Sequence, residues 1–368
     1  MEDRWLLEWI RCVKKGADDA VCRGRLIPAG DGLECESCRA RYPVVRGVPV
    51  LRDAPCALSV DWFEGHYAGR SRTQELASDY LRPERTFMAE LLKRSNVSGP
   101  CLEIGCGTGL FAATAPGYIG LEYAIEPLMA GGFEDADRIC GDAQRLPLAD
   151  ASMECVFSFN TLEHVPEVDL AFGEIDRVLK PGGLLVLKPA WHCARYTTEL
   201  IPVRSYGELN ARQKLVKALL PVIRSRPYKL LTWVPGRIYR RLTRRPENPL
   251  KWRRLTPYYG KEWISDADAA AGIDCHESII YYTSRGYTCD SHSSVLRQLL
   301  AGHDVVILRK GGRSSIPVAE EERVPLDAAR RHAEALREAG PAATPVALEP
   351  APASGLPADR LPAASRSR

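Results

Sequence analysis

The stretch that decides the fold is LEIGCGTG, Leu102 to Gly109, preceded by Pro100 and Cys101. An apolar run ends in an acid, and Gly105, Gly107 and Gly109 follow at alternate positions. Glycine alone takes positive φ angles freely and lets a ligand approach bare backbone, so a strand, a tight turn and a helix start are expected here. A dinucleotide, a phosphate and S-adenosylmethionine would each favour such a turn.

The neighbouring residues narrow the choice. Glu122 stands seventeen residues beyond Gly105, at the end of the next apolar run. An acid there can accept hydrogen bonds from both ribose hydroxyls of a nucleoside. The dinucleotide fingerprint GxGxxG wants a third glycine at position 110, where Leu110 stands. No GxxxxGK[ST] occurs, so a P-loop is excluded.

Working outward, the pattern is one of alternating strands and helices. Strands are expected at Cys101–Ile104, Tyr118–Leu121, Arg138–Cys140, Cys155–Phe159 and Leu184–Leu187, with two more at Tyr287–Cys289 and Val305–Leu308. Helices are expected at Arg85–Lys93, at Gly109–Ala113 as a short first crossover, and at Leu170–Val178. GDAQRLPLADASMECVFSFNTLEHV, Gly141 to Val165, and DRVLKPGGLLVL, Asp176 to Leu187, complete the ordered motifs.

In these motifs, over Phe87 to Pro189, the chain resembles the class I S-adenosylmethionine-dependent methyltransferases, whose signature runs GD, LP, SFD, LEH and RVLKPGG. The resemblance implies a Rossmann-like sheet of seven strands with S-adenosylmethionine as cofactor. It also implies roles for particular residues. Glu103, Gly105, Cys106, Gly107, Thr108 and Gly109 would surround the methionine moiety, and Glu122 would hold the ribose. Asp142 and Ala143 would meet the adenine, and Asn160 and Thr161 would face the methyl donor. For a hydroxyl acceptor a general base helps, and His164 and His192 stand past the carboxyl ends of strands, where open α/β sheets bind ligands.

The N-terminal segment, residues 1–55, carries Cys12, Cys22, Cys35 and Cys38 and the β-rich run YPVVRGVPVLR. It resembles the Trm112-like zinc ribbon, in which four thiolates hold a structural Zn2+. The family's first pair is CxxC, whereas nine residues separate Cys12 from Cys22. An inserted first knuckle and a decayed, metal-free ribbon are both open. Cys101, Cys106, Cys140 and Cys155 read as small buried hydrophobes.

A linker and leading helix over 56–85 joins this module to a methyltransferase domain over 86–310. Within it, residues 191–285 form an acceptor-cap insertion. From Arg204 to Arg254 there are fifteen Lys and Arg against Glu208 and Glu247, interleaved with Tyr206, Tyr228, Trp233, Tyr239 and Trp252. Prolines at 221, 227 and 235 should break any long helix. Three readings stand side by side: a substrate cap with a solvated basic face, docking on an anionic membrane surface, and phosphate contact with nucleic acid. Downstream, Asp266 and His276, with Asp268 between them, could orient or deprotonate a polyhydroxylated acceptor. Residues 311–368, rich in Ala and Pro, should be disordered, with a short helix near Leu326 to Ala339.

In the 368-residue chain no run of about 18 apolar residues exists, so no transmembrane helix is expected. The acidic, charge-interrupted start MEDRWLLEWIRC is unlike a signal peptide, which suggests a cytoplasmic protein, peripheral to a membrane if the basic segment docks there. The expected activity is O-methylation of a small molecule, sugar or lipid-linked glycan. RNA methylation and a non-catalytic binding protein that keeps the cofactor fold are the alternatives.

Overall fold

The computed structural model describes residues 5–16, 20–52, 62–65, 81–130, 133, 136–260 and 266–311. The expectations for the tail beyond Gly311, for most of the linker before residue 81, and for residues 261–265 lie outside them.

The strands are β1 (Leu26–Ala29), β2 (Gly32–Cys35), β3 (Arg41–Val45), β4 (Val48–Leu51), β5 (Cys101–Ile104), β6 (Tyr118–Glu122), β7 (Asp137–Gly141), β8 (Met153–Phe159), β9 (Leu179–Lys188), the small pair β10 (Arg253–Arg254) and β11 (Ala271–Gly272), β12 (Thr288–Cys289) and β13 (Val306–Arg309). The main sheet runs β1-β2-β3-β4-β7-β6-β5-β8-β9-β13-β12. Pairing is parallel from β4 through β9, and β13 lies antiparallel to both β9 and β12.

Period-2 alternation explains why the centre of this sheet is buried on both faces. In β5, Leu102 and Ile104 point into one apolar cluster and Cys101 into the other. In β8, Val156 faces the first, while Cys155, Phe157 and Phe159 face the second. Helix α1 (Arg82–Arg94) covers one face with Met88, Leu91 and Leu92. Helix α2 (Val168–Val178) covers the other with Val168, Ala171, Phe172, Ile175 and Val178, at helical spacing.

Three expectations are corrected. The sheet has eleven strands rather than seven, because the cysteine-bearing hairpins continue it: β4 pairs with β7 through Val50–Cys140 and Leu51–Gly141. Arg23 further ties this module to the core, 2.6 Å from Glu174 and donating to the Leu146 carbonyl at 2.8 Å. The crossover after β5 contains no helix over Gly109–Ala113. It is a chain of turns whose N–H groups bond three residues back, from Gly109, Ala112 and Thr114, with Gly107, Gly109 and Gly117 at positive φ. Only thirteen residues separate β5 from β6, too few for a helix once these glycines have turned the chain.

The third correction concerns the basic insertion. Despite its prolines it forms helices α3 (Ala211–Arg224) and α4 (Arg226–Thr243), with Pro221 and Pro235 inside them and Pro227 in the first turn of α4. Pro221 and Pro235 each forfeit one ladder bond and lie on exposed surface, and ion pairs along α4 hold it to the body. Arg237, buried, lies 2.9 Å from Asp274, and Arg240 reaches the same carboxylate at 3.2 Å. Arg244 and Arg240 each sit 3.0 Å from Glu277 of helix α5 (Cys275–Thr283).

Asp274 also caps α5, accepting from the His276 N–H at 2.8 Å. Burial works to raise its pKa, but Arg237 and its neighbours outweigh that and hold the carboxyl below its ordinary value. Its contribution to stability is therefore full at neutral pH and is lost as pH falls through and below the ordinary carboxylate range. Asp274→Ala leaves Arg237 buried and unpaired and should lower the unfolding free energy by about 2–4 kcal/mol at neutral pH. Urea titration should show that difference shrinking toward acid pH.

Candidate functional site

The strand order reverses between β5 and β8, and the turns leaving these two strands stand where open α/β sheets form their ligand crevice. Gly105 follows β5 at φ +76°, and Thr161 stands just past β8. A Cβ on Gly105 would lie 2.1 Å from the Thr161 side chain, so no other residue fits. The Thr161 hydroxyl is fixed by donating to the Phe159 carbonyl at 3.0 Å. Gly109, at φ +74°, is equally constrained, because its Cβ would meet the Phe133 ring at 2.3 Å.

Glu122 at the end of β6 turns back onto this cradle. Its carboxylate accepts from the N–H of Gly107 at 3.1 Å, Tyr123 at 2.8 Å and Ala124 at 3.2 Å. Burial pushes its pKa up while those N–H groups pull it down. Glu103 is buried in β5, accepts from the Tyr118 hydroxyl, and is raised well above the ordinary carboxylate range by burial. Cys106 and Thr108 are buried beneath the loop.

Asp142, after β7, accepts from the Gln144 N–H at 2.9 Å and its side-chain amide at 3.0 Å, which holds a single helical turn that begins at the buried Ala143. Asn160, exposed at the end of β8, takes a left-handed φ of +48°, an arrangement common where strain is kept for function. Glu154 plays a structural part: its carboxylate accepts from the Gly99 and Ser98 N–H groups and pins the entrance to β5.

The turn after Thr161 carries His164. Its Nδ1 lies 3.3 Å from the Asp268 carbonyl and 3.4 Å from the Asp268 carboxylate, and its Nε2 lies 3.8 Å from Glu163. Burial disfavours its charge, but Glu163 and Asp268 outweigh burial and raise its pKa above the ordinary histidine value. Asp266, also at left-handed φ (+62°), adds to that field. Of the acids read near residue 270, Asp266 thus acts on His164 through its charge and Asp268 by direct contact.

His192 and His276 are not brought to them. His192, half-buried, stacks on Trp233 of α4 at 4.3 Å, with its pKa lowered to about 4 by desolvation. His276 is fully buried in α5 behind Arg237 and Arg240, and burial likewise lowers it to about 4. The fold uses both as packing.

Two features were missed in the sequence. Glu163, beside His164, was not among the candidate residues, and Asp268, read as a neighbour of Asp266 and His276, pairs instead with His164. The helical turn over residues 62–65, read as linker, lies against the crevice: Glu64 accepts from the Ile125 and Glu126 N–H groups, both at 2.8 Å, beside the Glu122 end of β6. Phe63 packs edge-on to His164 at 6.0 Å and to Tyr259 at 6.2 Å, and Trp62 donates to the Gly260 carbonyl at 3.1 Å. The signal was the aromatic run DWFEGHY, too apolar for a solvated linker.

In the N-terminal module the four cysteines converge despite their spacing. The Cys12 and Cys38 sulfurs are 3.5 Å apart, those of Cys22 and Cys35 are 3.7 Å apart, and all four lie within 4.8 Å of one another.

Sheet order and the glycine turn at the end of β5 together define a Rossmann-like domain. Residues 102–187 match the methyltransferase domain family. Malonyl-acyl-carrier-protein O-methyltransferase of Methylovorus sp. is 41% identical over 132 residues, 31% of this chain and 45% of that protein. The 24-methylenesterol C-methyltransferase 2 of Oryza sativa is 32% identical over 98 residues, 23% of this chain and 27% of that protein. The chain spans less than half the length of the first relatives it matches. A solved S-adenosylmethionine-dependent methyltransferase from Methanococcus maripaludis, 14% identical, aligns with a TM-score of 0.35 over 67% of this chain and 94% of its own, a likeness too slight to add to the argument. The match to the methyltransferase domain family is thus confined to residues 102–187, the central strands of the Rossmann-like sheet.

Proposed function

We propose that the protein is an S-adenosylmethionine-dependent methyltransferase acting on an oxygen nucleophile of a small molecule, sugar or lipid-linked glycan. The observation that carries this reading is the Gly105–Thr161 floor with the Glu122 carboxylate hydrogen-bonded to the Gly107 N–H at its side. The donor set fits the cofactor. Bare backbone over Gly105–Gly109 suits the methionine moiety, Glu122 keeps acceptor capacity for ribose hydroxyls, and Asp142 stands ready for an adenine amino group.

When bound, the cofactor supplies a methyl group already activated on a sulfonium. The chain's own task is alignment and proton removal. The Nδ1 of His164 donates to Asp268, which leaves Nε2 to take the proton of an acceptor hydroxyl as its oxygen attacks. Glu163 and Asp268 stabilise the resulting imidazolium. Phe63, Trp62 and Tyr259 shield the crevice from water. Inward pairing of Arg237, Arg240 and Arg244 removes cations from any nucleic-acid surface, which weighs against the RNA reading.

The cysteine cluster suits a structural Zn2+. Sulfur separations of 3.5 and 3.7 Å are what a tetrahedron of thiolates at about 2.3 Å demands. The metal would stiffen the hairpins that extend the sheet.

Transfer of labelled methyl from S-adenosylmethionine to polyhydroxylated acceptors tests the activity. The rate should rise with pH through a pKa above that of free histidine, and Asp268→Asn should shift that limb to lower pH. A His164→Ala variant should lose about 10²-fold or more in kcat. Undiminished transfer in His164→Ala would overturn the assignment of the base. Elemental analysis should find one zinc per chain, lost in Cys35→Ser. A metal-free native protein with unchanged stability would rule the zinc out.

A further inference from the structure

Helix α4 is turned inside out relative to an ordinary surface helix. Arg237, Arg240, Arg241 and Arg244 recur at helical spacing and all face the body of the protein, Arg241 donating to Gln298 at 2.6 Å and the others pairing with Asp274 and Glu277. The opposite face carries Tyr228, Leu231, Ile238, Tyr239 and Leu242. Leu231 is 78% exposed, Leu242 80% and Tyr239 68%. A solvated helix would hold its charges outward.

Helix α3 adds its own stripe at i, i+4 and i+7: Leu215, 62% exposed, with Leu219 and Val222. The two helices meet at Ser225, which ends one and caps the other. So many large apolar side chains exposed along two consecutive helices mark an interaction surface.

Charge decides the partner. Lys214 on α3, Arg226 at the start of α4, and Arg245, Lys251 and Arg253 beyond its end are exposed and have no side-chain partner among the described residues. Glu208 and Glu247 are the only acids between Arg204 and Arg254. A second copy seated on this surface would bring cations against cations, which disfavours self-association. An anionic lipid surface meets both requirements, taking leucine and tyrosine side chains into the acyl boundary and lysine and arginine at the headgroups. No described helix is long and apolar enough to cross a membrane, so contact would be along the surface.

We propose that α3 and α4 dock the protein on an anionic phospholipid bilayer, through Leu215, Leu219, Leu231, Ile238 and Leu242, with Lys214 and Arg245 on headgroups. The surface lies on elements that carry none of the cofactor-site residues, so docking and methyl transfer can fail separately.

Flotation of the full chain with phosphatidylglycerol–phosphatidylcholine vesicles tests it, with pure phosphatidylcholine vesicles alongside. Partition into the anionic vesicles should exceed that into the neutral ones at least about tenfold and fall with salt. The double variant Leu231→Asp, Leu242→Asp should lose at least about tenfold in partition while keeping its circular dichroism and thermal midpoint. Lys214→Ala and Arg245→Ala should each lose roughly fivefold. Three results would overturn the proposal: no partition into anionic vesicles, equal partition of the double variant, or a native dimer that the double variant converts to monomer.

Discussion

Between Gly105 and Thr161 there is no room for a side chain, and the functional half of the molecule is arranged around that contact. It joins the ends of β5 and β8, the two strands from which the sheet order diverges. Because the carbonyl ends of both strands are fixed by their ladders, the contact sets the width of the crevice above them. The Gly107 N–H then fixes Glu122 on one side, and the turn after Thr161 fixes His164 on the other. Phe63 and Glu64 close over both.

The central strands were legible because they are buried on both faces: apolar runs such as CLEI and CVFSF leave no alternative once Gly and Pro bound them. Their observed limits differ from expectation by a residue or two, except in β9, which begins five residues early at Leu179 because KPGG lies inside its extended backbone. Glu122, Asp142 and the glycine turn were legible for a related reason, as each stands at a strand end. The missing crossover helix was not, because four positive-φ glycines consume the length that a helix would need. Residues 62–65 were not legible either, since their bonds to Ile125, His164 and Gly260 are all long-range.

Histidines illustrate the limits of position along the chain. His164 and His192 both follow strands at the same end of the sheet. One meets Asp268 and Glu163, whereas the other is roofed by Trp233 of α4 and loses its basicity to burial. The roof is itself a product of the Arg237–Asp274 pairing, a contact between residues 37 positions apart. A solvated basic face was one of three readings of this segment. Ion pairing inverted it and left leucine and tyrosine outside.

The central claim is that the Gly105–Thr161 crevice holds S-adenosylmethionine, and calorimetric titration of that ligand into the native chain and into Gly105→Val tests it most directly. The account predicts a single saturable site in the native protein and none in the variant, whose valine would occupy the contact with Thr161. Absence of binding to the native chain at millimolar ligand would contradict it, as would unchanged affinity in a folded Gly105→Val.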